Sequence, residues 1–422
     1  MADGNTLEHP VSAPDRTRHR EAIVVAAPWL YHPLCGIGGG VVCFQLLERL
    51  AASFDIHFIS FDQTPNDPEA GRRALARICA STTILAAPRP LCGRLAWPLQ
   101  AVTNVPREAR DLSSPEMAAS IARLVAAHDP VAVILQFPQM AQYMDAAAGA
   151  PVVMDVQDAC MVSRYREWQK AEGAVRRAKA FSTWMAWLQY ERRWYARADA
   201  LLAISENDLG VLRSFFPDVP CFYSPVAADP VRGASMAGRS YVAFIGNFWH
   251  APNRDALEWL LREIWPRVRA RAADAELHIA GPAIPDWAGE HGREGVVIRG
   301  FVDSVEAFYG GAQMALVPYR FGGGTKIKAL EAMAHGCPVV ATTIGSEGLQ
   351  VTPGVHLRVA DDAQGFADAI IGLMRSAEER QALAEAALAH IGRHFSWEAK
   401  VAALVETLRT ARSRKMRARA PA

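Results

Sequence analysis

The chain predicts an α/β protein made of two doubly wound, parallel-sheet domains that face a cleft. Three observations carry that expectation. Short apolar runs without polar alternation, such as Ile23-Val-Val-Ala26 and Met314-Ala-Leu-Val317, have the pattern of strands buried on both faces. These runs alternate with stretches of helical periodicity, the order that gives a parallel sheet covered by helices. The alternation occurs twice, on either side of a Pro-, Ala- and Gly-rich linker at 223–239, and 422 residues are too many for one ordinary core.

Residues 1–21 are polar, lack the apolar centre of a signal sequence and are expected to be disordered. A strand follows at 22–27, then a glycine-rich turn to Gly40, a helix over 41–53 and a second strand at 56–60. A helix at 115–127 precedes strands at 131–136 and 152–155. The segment 164–198 carries Trp184, Trp187, Tyr190 and Trp194 at helical spacing, an amphipathic stripe expected to pack in the core. A strand at 200–205 ends at Ser205, placed to cap the next helix. The second series has strands at 241–246, 276–281, 296–299 and 314–318 and helices at 255–272 and 305–310, and the chain ends in helices at 363–375, 377–395 and 397–412. The expected division is a first domain over 22–225, a second over 226–398, and a C-terminal helix with a basic tail over 399–422.

Composition narrows the function. A net charge of +1 argues against a general nucleic-acid binder, which needs a strongly basic field. Seven cysteines are scattered without a C-x-x-C pair, so neither a disulfide framework nor a zinc site is expected, and a reducing cytoplasm is the simple inference. No apolar run reaches the roughly 18 residues of a membrane span. The tail carries Arg412, Arg414, Lys415, Arg417 and Arg419, which read either as a solvated end or as a peripheral anchor at the inner face of an anionic membrane. No G-x-S-x-G elbow, Ser-His-Asp order or G-x-G-x-x-G fingerprint is present, which disfavours hydrolase and dehydrogenase readings.

The most informative stretch runs from Arg320 through Phe-Gly-Gly-Gly-Thr-Lys-Ile-Lys-Ala-Leu-Glu to Ala341. Gly322, Gly323 and Gly324 free the backbone for positive φ and close approach to a ligand, and their amides precede a helix N-terminus, where anions are favoured. Thr325, Lys326 and Lys328 follow, and residues two apart on a helix point in different directions, so one of the two lysines is expected to reach a phosphate. Gly38, Gly39 and Gly40 repeat the device in the first half.

With these residues in place, the second half resembles the donor-nucleotide domain of GT-B glycosyltransferases, specifically glycosyltransferase family 4 (glycosyl transferases group 1). The resemblance rests on Phe244-Ile-Gly246 with Pro252-Asn253, His278-Ile-Ala-Gly281, Gly300-Phe-Val302, Val317-Pro318, and the run from Gly322 through Glu331-Ala-Met-Ala-His-Gly-Cys-Pro-Val-Val-Ala341 to Leu349. In the first half, Ile23 to Ala26, the loop to Gly40, Asp155-Val-Gln-Asp158 and Ser205 stand where the family places acceptor-side elements. The resemblance implies two Rossmann-like domains and a retaining transfer from a nucleotide-sugar, UDP- or GDP-linked, to a glycan, lipid-linked or small acceptor. It implies no cofactor or metal, and a role in cell-surface polysaccharide or lipopolysaccharide assembly. Glu331 would hold the ribose, Lys326 or Lys328 would stabilise the departing diphosphate, and Gly322 to Thr325, Gly246, His250 and Arg254 would line the donor site. Asp158 would meet the acceptor.

Two departures stand out. The family commonly has two glutamates separated by seven residues, and the first falls here on Gly323. Around Asn247 to Asn253 the usual basic pair is replaced by His250 and Arg254. The first departure also admits a non-catalytic, nucleotide- or glycan-binding subunit, and the layout admits a sugar-nucleotide epimerase.

Overall fold

The computed structural model describes residues 20–33, 35, 38–63, 67–89, 100, 103–231 and 238–419. Most of the N-terminal segment expected to be disordered (1–19), Gly36 of the first glycine run, Cys92 and linker residues 232–237 lie outside the described residues. Two α/β sheets form. The first contains β1 (Glu21–Ala27), β2 (Phe54–Phe61), β3 (Ser81–Leu85), β4 (Val133–Gln136), β5 (Val152–Val156), β6 (Ala200–Ala203) and β7 (Cys221–Tyr223), in the order β3-β2-β1-β4-β5-β6-β7. The second contains β8 (Tyr241–Ile245), β9 (Leu277–Ala280), β10 (Val296–Gly300), β11 (Ala312–Val317), β12 (Val339–Ala341) and β13 (Arg358–Val359), in the order β10-β9-β8-β11-β12-β13. Neighbouring strands run parallel throughout both sheets. In each sheet the order reverses beside its first strand, between β1 and β4 and between β8 and β11. Loops leaving those strands diverge, and the crevice they open at the strands' C-terminal ends is where such sheets take ligands.

The apolar strands behave as their composition demands. In β1, Ile23 and Val25 enter one core and Val24 and Ala26 the other, because successive side chains alternate across the sheet. Trp187 is fully buried and Tyr190 and Trp194 nearly so, as the core stripe requires, whereas Trp184, expected in the same stripe, is only half-buried and packs outside the core. All six described cysteines are buried and none forms a disulfide.

Several boundaries differ from expectation. The first helix begins at Gly38, not at 41, so Gly38 to Gly40 are its first turn rather than a loop before it. The segment 164–198 is two helices, Cys160–Lys170 and Ala174–Tyr195, broken where Gly173 takes φ +80°, a conformation without cost for glycine. The helices fold together through Trp168 stacked on Trp184, centroids 5.2 Å apart. The helix expected at 255 starts at Ala251, with Pro252 in its first turn, and Asn253 lies inside it rather than capping it. Short edge strands β3, β7 and β13 carry too few apolar residues to announce themselves.

The last helix, Trp397–Arg419, returns to the first domain and runs past 412. Buried Lys400 donates to Ser224 O (3.3 Å), Ser224 Oγ (3.2 Å) and Pro225 O (2.8 Å), fastening this helix to the chain's crossing between domains. The tail is therefore not a free basic arm. Arg412 pairs with Glu21 (2.5 Å), Arg414 donates to Asp218 O (2.6 Å) and Lys415 reaches Asp199 (3.3 Å), so three of its five basic side chains serve the first domain. Among the described residues no helix is long and apolar enough to cross a membrane.

Candidate active site

The loop from Tyr319 to Lys326 leaves β11 at the switch point of the second sheet. Its start is pinned to the Ala251–Trp259 helix: the Tyr319 hydroxyl donates to Asn253 Oδ1, and Arg320 forms a fork on Asp255 at 2.9 and 2.6 Å. Gly322 (φ +128°) and Gly324 (φ +63°) then turn the chain through backbone that favours glycine. Beyond them the loop lies against the first domain. Thr325 Oγ1 donates to Ile204 O at 2.7 Å, and Arg166 Nη1 donates to Gly322 O at 2.9 Å and Glu347 Oε2 at 2.6 Å. Thr325→Val keeps the shape of the side chain but leaves Ile204 O unpaired, so a loss of about 1 to 2 kcal/mol of stability is expected, read as a lower urea midpoint.

The two lysines have different surroundings. Lys326 is only 7% exposed and its ammonium donates to Gly323 O and Gly324 O, both at 2.9 Å. Burial lowers its pKa, while Glu347, Asp158 and Asp208 oppose the shift. Lys326 thus braces the loop from inside. Lys328, one residue into the Ile327–Ala334 helix, extends toward Asn253 Oδ1 (3.4 Å) and lies 5.9 Å from the centre of the Tyr319 ring.

Lys328 faces a cationic hollow. His250, at the N-cap of the Ala251–Trp259 helix, has its pKa lowered to about 4 by desolvation between the cleft walls, then by Lys328, Arg164, Lys326 and Arg254. Its side chain is exposed, and the surrounding positive charge favours its neutral form. Arg164 comes from the first domain, held by Glu108 (3.1 Å) and Glu167 (2.9 Å). Arg254 is exposed beside His250.

Glu331 lies one turn further along the Ile327–Ala334 helix. Burial raises its pKa to about 7, against the pull of Lys328, and no donor among the described residues bonds its carboxylate. Gly246 takes a different place: its amide donates to Ala280 O at 2.9 Å, so it shapes the end of β8 rather than offering a free N–H.

The first domain brings a second helix N-terminus to this hollow. A Cβ built on Gly38 would lie 3.6 Å from Ile327 Cγ2, so the starts of the Gly38–Leu50 and Ile327–Ala334 helices abut. Gly39 packs against the Phe137 ring, and Gly40 against Cys35 and Trp29. Each helix start carries the positive end of its dipole, and in the first turn of the Ile327–Ala334 helix Ile327 N and Ala329 N are already taken by Thr325 O and Lys326 O, which leaves Lys328 N. Two such ends in contact repel unless an anion lies between them.

Asp155 and Asp158 part company. Asp155 is buried, accepts from Gln136 (3.2 Å) and Gln157 (2.8 Å), and belongs to the sheet's interior. Asp158 points to the domain seam, accepting from Ser163 Oγ at 2.9 Å. Glu191, from the Ala174–Tyr195 helix, caps the start of the preceding Cys160–Lys170 helix by accepting from Cys160 N (2.9 Å) and Met161 N (2.7 Å).

Sequence reasoning passed over Arg164, Arg166 and Glu347. Both arginines lie in the segment dominated by the aromatic stripe, and Glu347 lies inside the run Ser346-Glu-Gly-Leu349. The available signal was that charge in a stripe otherwise committed to the core must be spent on a surface or a seam.

Residues 239–376 match the family model described as "Glycosyl transferases group 1", and residues 38–219 match that of a "Glycosyl transferase 4-like domain". An uncharacterized 44.6 kDa protein in the cps region of Klebsiella pneumoniae is 29% identical over 163 residues, 36% of this chain. That match spans 42% of the relative's own length. Sucrose-phosphate synthase from Thermosynechococcus elongatus superposes with a TM-score of 0.68 over 95% of this chain and 100% of the other, at 18% identity. Anabaena HepE in complex with UDP and glucose superposes with a TM-score of 0.63 over 92% and 99% of the two chains, at 13% identity. At such identities the structural likeness establishes the fold.

Proposed function

Since the chain belongs to the glycosyl transferases group 1 family and has the GT-B fold, we propose that it moves a sugar from a UDP- or GDP-sugar to a glycan, lipid-linked or small acceptor with retention of configuration. The observation that carries the reading is the pair of abutting helix N-termini at Gly38 and Ile327, together with the cations Lys328, Arg164 and Arg254 gathered about His250 and the unpartnered Glu331 carboxylate one turn along the second helix. That arrangement suits a diphosphate joined to a ribose. The helix amides and Lys328 would take the phosphates, and Glu331 the two ribose hydroxyls. Neutral His250 is suited to donate or accept a hydrogen bond rather than to supply charge.

In the proposed reaction the bond from the sugar's anomeric carbon to the phosphate oxygen breaks. Negative charge collects on the leaving diphosphate, where fixed donors are most effective. The acceptor oxygen bonds the anomeric carbon from the face the phosphate leaves, and its proton passes to the departing phosphate. Contact of the two domains across the Thr325 and Arg166 seam excludes water, which would otherwise take the sugar. The HepE complex with UDP and glucose supports a UDP-sugar, and the cps-region relative supports cell-surface polysaccharide assembly.

The experiment is a titration of UDP and GDP followed by a transfer and hydrolysis assay with their sugars. Binding with turnover supports the proposal; binding without turnover across the panel favours a non-catalytic subunit, and donor conversion without acceptor an epimerase. A pH series adds a second check. Glu331, with its pKa raised to about 7 by burial, must be ionised to accept two ribose hydroxyls, so binding releases a proton below that pH. Affinity should therefore rise from pH 6 to pH 8 and level off. Glu331→Gln should remove that rise, leaving only the part contributed by the nucleotide's own phosphate.

A further inference from the structure

We infer that Asp158, reaching across the domain seam, is the carboxylate that recognises a hydroxyl of the transferred sugar. This rests on the donor reading above and concerns the sugar half of the donor. Three neighbouring residues carry it.

Gly323 is a glycine for want of space, not for backbone freedom. Unlike Gly322 and Gly324, it has no left-handed φ, yet a Cβ on it would fall 2.2 Å from Asp158 Oδ1 and 3.0 Å from Ser163 Cβ. Asp158 therefore occupies the space that a side chain at 323 would need. A carboxylate from the first domain stands where the second domain's loop offers none.

The carboxylate is also incompletely used. Oδ2 accepts from Ser163 Oγ at 2.9 Å, whereas Oδ1 is buried with no hydrogen-bond partner among the described residues. A buried acceptor of this kind is costly to leave unpaired. Lys326, whose charge interacts with Asp158, spends its ammonium on Gly323 O and Gly324 O.

The position decides what the partner is. Gly323 precedes the Ile327–Ala334 helix by one short turn of chain, so Asp158 lies just beyond the helix start assigned to the phosphates. A phosphate beside a carboxylate would be repelled; a neutral hydroxyl would donate to it. The sugar attached to the terminal phosphate is the part of the donor that brings hydroxyls to that point.

The test compares nucleoside diphosphates with their sugars by calorimetry, using UDP, GDP, UDP-glucose, UDP-galactose, UDP-N-acetylglucosamine and GDP-mannose. Wild type, Asp158→Asn and Gly323→Ala are measured, with circular dichroism confirming the fold. The preferred sugar nucleotide is expected to bind Asp158→Asn about tenfold more weakly, 1.4 kcal/mol, with the parent diphosphate changed less than about twofold. Gly323→Ala, whose methyl displaces Asp158 while keeping its charge, should give the same split even if Asp158→Asn does not fold. Equal losses for diphosphate and sugar nucleotide, or no loss in either, would overturn the inference and leave the donor reading standing. If wild type binds no nucleoside diphosphate, the donor reading itself fails and takes this inference with it.

Discussion

Lys328→Met is expected to lower the transfer rate about 10²- to 10³-fold while weakening nucleoside diphosphate binding far less. The reasoning is electrostatic. A cation beside the leaving group is worth most when charge develops there, and removal of one preorganised donor of this kind costs about 2.7 to 4 kcal/mol in the rate. Lys328 is the lysine whose ammonium projects toward the hollow of His250 and Asn253. Lys326→Met should behave otherwise. Its ammonium holds Gly323 O and Gly324 O, so its loss should loosen the loop, lowering affinity and thermal stability together. Steady-state kinetics beside a thermal melt separate the two: a matched rate loss in both variants, with unchanged melting, would remove the distinction between them.

Glu331→Ala is expected to weaken UDP or GDP binding by about 1.5 to 3 kcal/mol, roughly ten- to a hundredfold, by removing a charged acceptor of hydrogen bonds. Stability should not suffer. Glu331 is half-buried, its carboxylate accepts no hydrogen bond from the described residues, and burial raises its pKa, so its ionisation costs stability. That contribution has a definite sign: stability tied to this group is full below about pH 4.5, the unfolded value, and declines as pH rises through about 7. Glu331→Ala should therefore melt no lower than wild type at pH 8. A variant that loses affinity only because it unfolds would show as a lower melting temperature.

Much of this architecture was legible in the residues. β1, β4, β5, β8, β9 and β11 announced themselves because strands buried on both faces are apolar without alternation, a signal that survives without any tertiary knowledge. The break at Gly173 did not, since one glycine inside a periodic stretch does not say whether a helix bends, ends or continues. Nor could local spacing separate Lys326 from Lys328: it shows that they diverge, whereas their roles depend on which direction meets loop carbonyls and which meets the cleft. The seam was least legible of all. Arg166 on Gly322 and Glu347, Thr325 on Ile204 and Asp158 against Gly323 pair residues more than a hundred positions apart, and nothing in either stretch alone points to the other. The triple glycine is the clearest case. Read alone it is a phosphate cradle; in the fold it is also the place where the second domain comes close enough to touch the first.

The most direct test of the central claim is a crystal structure with UDP or GDP bound. The account predicts both ribose hydroxyls within ~3.2 Å of the Glu331 carboxylate and the terminal phosphate at the meeting point of the Gly38 and Ile327 helix starts, within reach of Lys328. Nucleotide bound elsewhere, or with its ribose turned away from Glu331, would contradict it.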